Sequence, residues 1–252
     1  MNYKLDNTPI SEYGAIPSPI GGHFALTGIL DLPKRIGKTE HDWGTSIEPF
    51  VQTEDIELDG RTLTLNVSIR KNNLDAFKAA CVACRELSFD YDTFQVIQED
   101  EIKVDVVGDY CRVSVPFWQN EIVLPEITII PSGTGGYRVD NFSLTKDFGT
   151  HVGQSGNILN TAGRIDVQTT ELYERTNFRG LRKIDLSCSI VGNSFADVYD
   201  KMSQFHSLLI SPGIHTLKLR NNEYNVYFKD GLTANIIDEN IVKFTLRATV
   251  LW

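Results

Sequence analysis

This chain of 252 residues has no long apolar run and only four cysteines. No apolar stretch approaches the roughly 18–20 residues that a membrane-spanning helix needs, so no membrane helix is predicted. The first residues, Met1–Asp6, lack the long apolar segment of a secretory signal, so we expect synthesis in the cytoplasm. Four cysteines are too few for a disulfide scaffold in a chain that can build its own core.

Positive charge is also scarce. The chain has 24 Lys and Arg against 33 Asp and Glu, a net charge of −9. This balance argues against a nucleic-acid-binding surface, because phosphate binding needs a basic face. The excess of acidic over basic residues is confined to residues 1–130, which contain 11 basic and 21 acidic residues. Residues 131–252 contain 13 basic and 12 acidic residues. Two halves of such different charge face different surroundings, or face each other.

Signatures of catalysis and of metal binding are absent as well. The five histidines form no HxxxH or HxH pair, and there is no GxSxG nucleophile elbow. Gly133–Gly136 is not a phosphate loop, because no Lys-Ser/Thr pair follows it. The sequence therefore predicts no enzyme, no cofactor, and no catalytic, cofactor-binding or metal-binding residue.

Cys81 and Cys84 form the one CxxC motif. A redox pair would lie at a helix N-terminus, where the helix dipole lowers the thiol pKa, but these residues follow two turns of a predicted helix. They occupy the positions that Met202 and Phe205 occupy in the second half, which favours packing in the core. A zinc site would need two more ligands, and the other two cysteines are too irregularly spaced to supply them.

Acidic residues cluster at Asp90–Asp92 and at Glu99–Glu101. Paired carboxylates can serve acid–base chemistry or calcium binding. Each cluster flanks a short predicted strand and lacks the Gly and Glu spacing of a calcium loop, which favours solvated turns. The charged stretch Pro33–Ser46 predicts an extended loop, a feature that usually indicates disorder or an interaction surface.

The chain contains an internal repeat at an offset of 121 residues. Leu65–Ile69 and Asn72–Leu74 align without gaps to Leu186–Ile190 and Asn193–Phe195. The alternating apolar residues predict a half-buried strand in each copy, and the Asn and Ser residues predict a helix N-cap after it. Each copy is therefore predicted to place a strand immediately before a helix.

Apolar residues in both copies then recur with the spacing of one helix face. They are Leu74, Phe77, Cys81 and Cys84 in the first copy, and Phe195, Val198, Met202 and Phe205 in the second. The second helix is predicted at Phe195–Leu209. Strands are predicted after it at His215–Leu219, Asn225–Phe228, Ala234–Ile237 and Ile241–Trp252. The first copy has fewer residues between its helix and Trp118, which predicts a shortened hairpin there.

The boundary between the copies is predicted at the flexible stretch Pro131–Gly136. Ile122–Leu124 and Ile127–Ile130 are predicted as strand, so this link is either a hairpin loop within a sheet or a free tether. The predicted fold class is α+β and mostly antiparallel β. The two modules are residues 1–136, with an N-terminal arm and an extended loop at about 33–46, and residues 137–252. Each is predicted to be a β-sheet or sandwich with one flanking helix.

The second copy resembles the N-terminal ring-forming domain of phage distal tail proteins. The resemblance lies in the basic segment Arg179–Lys183, the strand to Ile190, the cap Gly192–Ser194, the helix, and the Tyr-rich strands to Phe228. It covers about residues 170–252 and, through the repeat, 50–118. It implies the tail-tube-like fold of tail-tube, distal-tail and baseplate-hub proteins, which assembles into a ring through which DNA passes. Two modules in one chain imply a hub-type subunit, either a trimer with pseudo-sixfold symmetry or a hexamer.

The resemblance implies a virion structural protein at the junction of the distal tail or tube with the baseplate, assembled in the host cytoplasm. Its implied partners are copies of itself, the tail tube protein, tape-measure or hub proteins and tail-fibre proteins, with no membrane. DNA would pass through the lumen without specific binding, because an acidic wall repels phosphate. The alternative is a glycan- or ligand-binding β-rich protein that uses exposed aromatics such as Trp43 and Tyr137, although Trp43 can equally anchor its own loop.

Overall fold

The computed structural model describes residues 1–19, 24–43, 47–49, 56–156, 162–169, 172–179 and 182–251. The chain is mostly antiparallel β. The first half, residues 1–136, contains β1 (Tyr3–Leu5), β2 (Thr8–Pro9), β3 (Ile16–Pro17), β4 (Leu26–Thr27), β5 (Arg35–Ile36), β6 (Glu40–Asp42), β7 (Ile47–Pro49), β8 (Glu57–Leu58), β9 (Arg61–Arg70), helix α1 (Leu74–Ala83), β10 (Glu86–Phe89), β11 (Asp92–Gln95), β12 (Ile97–Gln98), β13 (Lys103–Val107) and β14 (Tyr110–Gln119).

The second half, residues 137–252, begins with a short hairpin and a short helix. It contains β15 (Tyr137–Val139), β16 (Phe142–Ser143), helix α2 (Leu144–Phe148), β17 (Thr150–Gly156), β18 (Ala162–Gln168), β19 (Tyr173–Arg179), β20 (Arg182–Val191), helix α3 (Phe195–Ile210), β21 (His215–Leu219), β22 (Asn222–Tyr227), β23 (Ala234–Asp238) and β24 (Ile241–Val250). The bounds of α3, and of the strands that follow it, agree with the predicted ones to within three residues.

Each half is organised around one long antiparallel ladder. In the first, β9 pairs with β14 over its whole length, and β12 and β13 pair with the other side of β14. In the second, β20 pairs with β24, and β22 and β23 pair with the other side of β24. Apolar residues alternate along these strands, and their inward side chains, such as Leu65 and Leu186, are fully buried.

The predicted shortening of a hairpin in the first half is small, because the β10–β11 hairpin has four residue pairs and the β21–β22 hairpin has five. Strands β12 and β13 precede β14 just as β22 and β23 precede β24. The helices account for six residues of the length difference, since α3 has 16 residues and α1 has 10. Trp118 pairs with Thr62, and the residue at the matching position of the second half is Thr249, which pairs with Lys183. Trp252 lies outside the described residues.

The strands predicted at Ile122–Leu124 and Ile127–Ile130 are also wrong. The segment between β14 and β15, which we call the linker (residues 120–136), forms no strand and is neither a hairpin loop nor a free tether. It lies against α3, where Gln204 Oε1 accepts hydrogen bonds from the backbone N–H of Thr128 (2.8 Å) and of Ile129 (3.0 Å). A helix side chain therefore replaces the neighbouring strand that the alternating apolar pattern led us to expect.

The loop predicted at about residues 33–46 is more ordered than expected. It contains β5 and β6, which pair with β8 and β7, as in the pairs Arg35 with Leu58 and Glu40 with Pro49. Residues 44–46 of this stretch lie outside the described residues. The charged stretch is therefore one side of a hairpin-like arm, because its partners lie in residues 47–58, which the prediction left out.

Candidate functional site

The two halves meet at a backbone joint, formed by residues 31–35 after β4 and residues 229–234 before β23. Leu32 and Leu232 form an antiparallel bridge in which each backbone N–H donates to the other's carbonyl oxygen, at 2.9 and 2.8 Å. The backbone N–H of Ala234 donates to Asp31 Oδ1 at 2.7 Å. Burial raises the pKa of Asp31, whose carboxylate is held inside the joint. The halves are therefore linked by main-chain pairing as well as by side chains.

The charged arm adds ionic contacts to the joint. Arg35 donates from Nη2 to the carbonyl oxygen of Ile210 at 2.7 Å, and its backbone N–H donates to Lys229 O at 2.9 Å. Lys229 forms an ion pair with Glu40. Burial lowers the pKa of Arg35, since its charge is partly removed from water. At its base, the stretch predicted to be an extended loop, disordered or an interaction surface, contacts the other half of the same chain.

Aromatic side chains pack across the boundary near the start of α3. The rings of Phe24 and Phe195 lie 4.3 Å apart between centroids, and those of Phe89 and Tyr199 lie 5.6 Å apart. The hydroxyl of Tyr199 donates to Asp92 Oδ2, and burial, together with this hydrogen bond, raises the pKa of Tyr199 far above its ordinary value. One face of α3 is therefore covered by the first half of the chain.

Both acidic clusters lie at connections between strands, with Asp92 already the first residue of β11, and only one of them is simply solvated. Glu99–Glu101 is exposed between β12 and β13. In the other cluster, Asp92 accepts the hydrogen bond from Tyr199, and Asp90 accepts one from the backbone N–H of Asn2 at 3.1 Å. These carboxylates stabilise contacts between distant segments, which a reading of local sequence does not predict.

A groove of about 600 Å³ runs between the halves beside α3. Arg61 on its wall donates from Nε to Gln119 Oε1 at 2.8 Å and from Nη1 to the carbonyl oxygens of Ile29 and Asp31. Burial lowers the pKa of Arg61. His206 on α3 is buried, and burial together with the charge of Arg61 lowers its pKa to about 3. A neutral histidine and an engaged arginine fit a packed boundary better than acid–base chemistry.

All four cysteines are buried and unpaired. Cys81 lies in the last turn of α1, and Cys84 caps the helix. Burial raises the pKa of Cys81 to about 12 and that of Cys84 to about 11, so both thiols stay protonated at neutral pH. Cys188 is likewise buried, with its pKa raised to about 12. The predicted core packing of the CxxC motif is confirmed.

Metal-ligand groups and membrane-spanning helices are both missing from the described residues. Within the described part of the chain, no group of three or more His, Cys, Asp or Glu side chains is placed to hold a metal ion. Among the same residues, no helix combines the length and the apolar character needed to cross a membrane.

Of the histidines, His215 is buried and lies between Asp140 Oδ2 (2.7 Å) and the carbonyl oxygen of Ser211 (3.1 Å), whereas His23 falls outside the described residues.

The two aromatics named for ligand binding differ in exposure. Trp43 is 61% exposed, its ring centroid lies 4.0 Å from that of His41, and its Nε1 donates to Glu48 Oε2 at 3.2 Å. Tyr137 pairs within the sheet, and its hydroxyl accepts from Arg220 Nε at 2.9 Å. Trp43 is thus held against its own hairpin and still presents a face to solvent, whereas Tyr137 is part of the sheet.

Comparison with known proteins returned no relative. No family model matches the chain, and no curated protein or solved structure matches it. The function is therefore inferred from the chain's own residues and contacts.

Proposed function

We propose that the chain is a structural subunit of a phage tail, which forms a ring around the DNA channel at the junction of the distal tail or tube with the baseplate. In this proposal residues 1–136 and 137–252 are two copies of one tail-tube-like module. The observation that carries the proposal is that both halves have matching strand pairings, while β13 and β17 each pair with one strand among the described residues and so present a sheet edge. Such a subunit functions by assembly, without catalysis or a cofactor.

The strand registers support the duplication. Leu65 pairs with Val115, and Leu186, which lies 121 residues after Leu65, pairs with Leu246. At the far end of the ladder, Ile97 of β12 pairs with Trp118, and Tyr227 of β22 pairs with Thr249. In sequence, β20 thus follows β9 at an offset of 121 residues, β22 follows β12 at an offset of 130, and β24 follows β14 at an offset of 131. Equal registers at three related offsets are expected from a duplicated fold.

A second match, at the start of each half, supports the same conclusion. Tyr3–Asn7 reads Tyr-Lys-Leu-Asp-Asn, and Tyr137–Asn141 reads Tyr-Arg-Val-Asp-Asn. The aspartates have φ angles of 46° and 54°, a left-handed conformation that Asp tolerates better than most residues. Asp6 Oδ1 accepts from the backbone N–H of Glu86 at 2.8 Å, and Asp140 Oδ1 accepts from that of Thr216 at 2.8 Å. The same side chain fixes the same neighbouring strand in each half.

The sheet edges and charges fit assembly into a ring. Subunits with two different uncovered edges associate head to tail, and such contacts close into rings when the rotation allows. Three chains of two modules give pseudo-sixfold symmetry, and six chains give twelve modules. The acidic first half is suited to a wall past which DNA slides without binding. The tail tube protein, tape-measure or hub proteins and tail fibres are the proposed neighbours.

Electron micrographs of the purified full chain test the proposal. The expected particle is a ring with a central hole, of threefold or sixfold symmetry. Compact particles of a single 28.3 kDa chain, alone and after mixing with tail proteins, would contradict it.

The exposed ring of Trp43 favours a second candidate, a glycan-binding β-rich protein. Its test is binding to a glycan array by the full chain and by Trp43→Ala. Binding that is lost in the variant, together with an absence of rings, would favour this candidate. Binding that is absent, or equal in both proteins, would reject it.

A further inference from the structure

Between each of the helices α1 and α3 and the strand that follows it, a basic side chain contacts the end of the helix. Arg85, just before β10, donates from Nη1 to the carbonyl oxygen of Cys84 at 2.8 Å. His215, the first residue of β21, has its Nε2 3.1 Å from the carbonyl oxygen of Ser211. Cys84 and Ser211 are the C-cap residues of α1 and α3. Arg85 and His215 therefore occupy matching places in the two halves.

An aspartate lies beside each of these basic residues. In the second half, Asp140 Oδ2 is 2.7 Å from His215 Nδ1, and Asp140 Oδ1 accepts from the backbone N–H of Thr216 at 2.8 Å. In the first half, Asp6 Oδ1 accepts from two backbone N–H groups. Among the described hydrogen bonds, only the aspartate of the second half also contacts the side chain of the basic residue. His215 thus bridges the end of α3 and the turn of the β15–β16 hairpin.

Both ring nitrogens of His215 face hydrogen-bond acceptors. Burial alone would raise the pKa of Asp140, but hydrogen bonds from His215 and from the Thr216 N–H, together with the charge of His215, hold this pKa below its ordinary value. Asp140 is therefore an ionised acceptor at neutral pH, and the carbonyl oxygen of Ser211 can only accept. A neutral imidazole has one N–H, whereas the imidazolium has two. Both contacts are hydrogen bonds only while His215 carries its positive charge.

The surroundings of His215 offer the ring no other polar partner. Its side chain is 3% exposed, and its ring centroid lies 5.4 Å from that of Phe228. The charged groups that the structure places at this end of α3 are Asp140 and Arg35, and Arg35 donates to the carbonyl oxygen of Ile210 at 2.7 Å. Arginine keeps its charge at all ordinary pH values, whereas histidine does not. The end of α3 is therefore held by one permanent cation and one that titrates.

We propose that His215 is a pH-sensitive latch, which fastens the turn between α3 and β21, residues 211–214, to the β15–β16 hairpin. The charged ring donates to both Ser211 and Asp140. When the ring gives one proton to water, the remaining hydrogen stays on Nδ1, because the bond to the carboxylate is the stronger one. Nε2 then faces the carbonyl oxygen of Ser211 without a hydrogen, and the turn is released from the hairpin.

The first half has no such response, because Arg85 keeps its charge over the range of about pH 5 to 8 in which histidine ordinarily titrates. The duplicated position therefore gives one half a permanent contact at the helix end and the other half a contact that depends on pH. The latch acts within one chain, so it holds whether or not the chain assembles into a ring.

Hydrogen exchange of the full chain at pH 5.5 and pH 8.5 tests the latch. The results are compared as protection factors, which remove the ordinary pH dependence of amide exchange. The Ser211 amide, which donates to the carbonyl oxygen of Leu208, should be about tenfold less protected at pH 8.5, as expected for the loss of one charge-assisted hydrogen bond. The Cys84 amide, which donates to Cys81, is the internal control and should keep its protection. Equal changes at Ser211 and Cys84, or no change at either, would overturn the inference.

Two variants separate a latch from a contact that is merely structural. In His215→Gln the side chain still donates a hydrogen bond but does not titrate. In Asp140→Asn the residue tolerates the left-handed φ of 54°, and its amide group favours a neutral His215 ring. Both variants should give the same Ser211 protection at the two pH values. A tenfold fall in His215→Gln, as in the wild type, would contradict the latch.

Nitrogen NMR of the wild-type imidazole covers the case in which neither variant folds. The His215 ring should carry hydrogen on both nitrogens at pH 5.5 and on Nδ1 alone at pH 8.5. A neutral ring at pH 5.5, or a hydrogen that remains on Nε2 rather than Nδ1 at pH 8.5, would overturn the proposed release of Ser211.

Discussion

The helices α1 and α3 follow the same strand in the two halves and contribute very differently to the core. α1 has 10 residues, of which Phe77 and Cys81 are buried, and Val82 stays exposed. α3 has 16 residues and buries eight, because it lies between its own sheet, the linker and the first half. The same strand–helix pattern therefore gives a peripheral helix in one half and the centre of the molecule in the other.

This difference explains why the second half has the larger residues at the repeated helix positions. Phe205 packs between Phe148 of α2 and Phe244 of β24, whereas the thiol of Cys84 donates to the carbonyl oxygen of Glu86. A longer, better-packed helix can hold two halves together. A short helix leaves the first half with more free surface for contact with other chains.

The largest expected effect comes from removing the central aromatic of α3. Phe205 has its ring centroid 5.2 Å from that of Phe148 and 5.9 Å from that of Phe244. Phe205→Ala should lower the free energy of unfolding by about 3–5 kcal/mol, through lost burial and a cavity. Urea denaturation of the full chain measures it.

Cys84→Ala is the matched control at the repeated position. Its thiol donates one weak hydrogen bond to the carbonyl oxygen of Glu86 at 3.3 Å, so the loss should be about 1 kcal/mol. Equal losses of unfolding free energy for Phe205→Ala and Cys84→Ala would show that α1 and α3 contribute equally to stability, which would contradict the difference described above.

An intermediate effect should appear as a pH dependence that originates in α3. The pKa of His206 is lowered to about 3 by burial, and Nε2 makes no hydrogen bond to another described residue. Between about pH 6.5 and 3 the unfolded chain binds a proton that the folded chain does not. Stability is therefore complete above pH 6.5 and falls as the pH decreases, by up to about 1.4 kcal/mol per pH unit.

Replacing this histidine isolates its contribution. In His206→Phe the decline in unfolding free energy between pH 6.5 and 4.5 should be shallower than in the wild type, by up to that slope. His151→Gln, a change at an exposed histidine, should keep the wild-type decline. Parallel curves for His206→Phe and the wild type would mean that His206 is not held neutral by burial. Denaturation at a series of pH values provides the data.

The smallest effect concerns the helix caps. Ser194 Oγ accepts from the backbone N–H of Asp197 at 3.3 Å, whereas α1 has no side-chain cap at Asn73. Ser194→Ala should cost about 1 kcal/mol, and Asn73→Ala less than about 0.5 kcal/mol. Thermal unfolding of both variants checks the difference. A larger loss of stability for Asn73→Ala than for Ser194→Ala would show that Asn73, and not Ser194, is the stronger helix cap.

Local patterns in the sequence predicted the elements whose stability depends on near neighbours. The apolar spacing predicted α3 to within one residue of its end, and the position of Cys81 in that pattern predicted its burial. The match of Tyr3–Asn7 with Tyr137–Asn141 was also readable from the sequence and was missed, because it occurs at an offset of 134 rather than 121.

Contacts between distant segments could not be read in the same way. Apolar residues alternate along the linker as they do in a strand. Its backbone N–H at Ile129 nevertheless donates to the side chain of Gln204 on α3, 75 residues further on. The bridge of Leu32 with Leu232 joins two residues whose local sequence carries no pairing signal. Such contacts depend on how the two halves pack, which the periodicity of either half does not specify.

The mass of the full chain in solution tests the central claim most directly. Light scattering after size-exclusion chromatography should give three or six times 28.3 kDa, with the fraction assembled rising with concentration. A mass of one chain at every concentration, alone and with tail proteins, would contradict a ring-forming subunit with two uncovered edges.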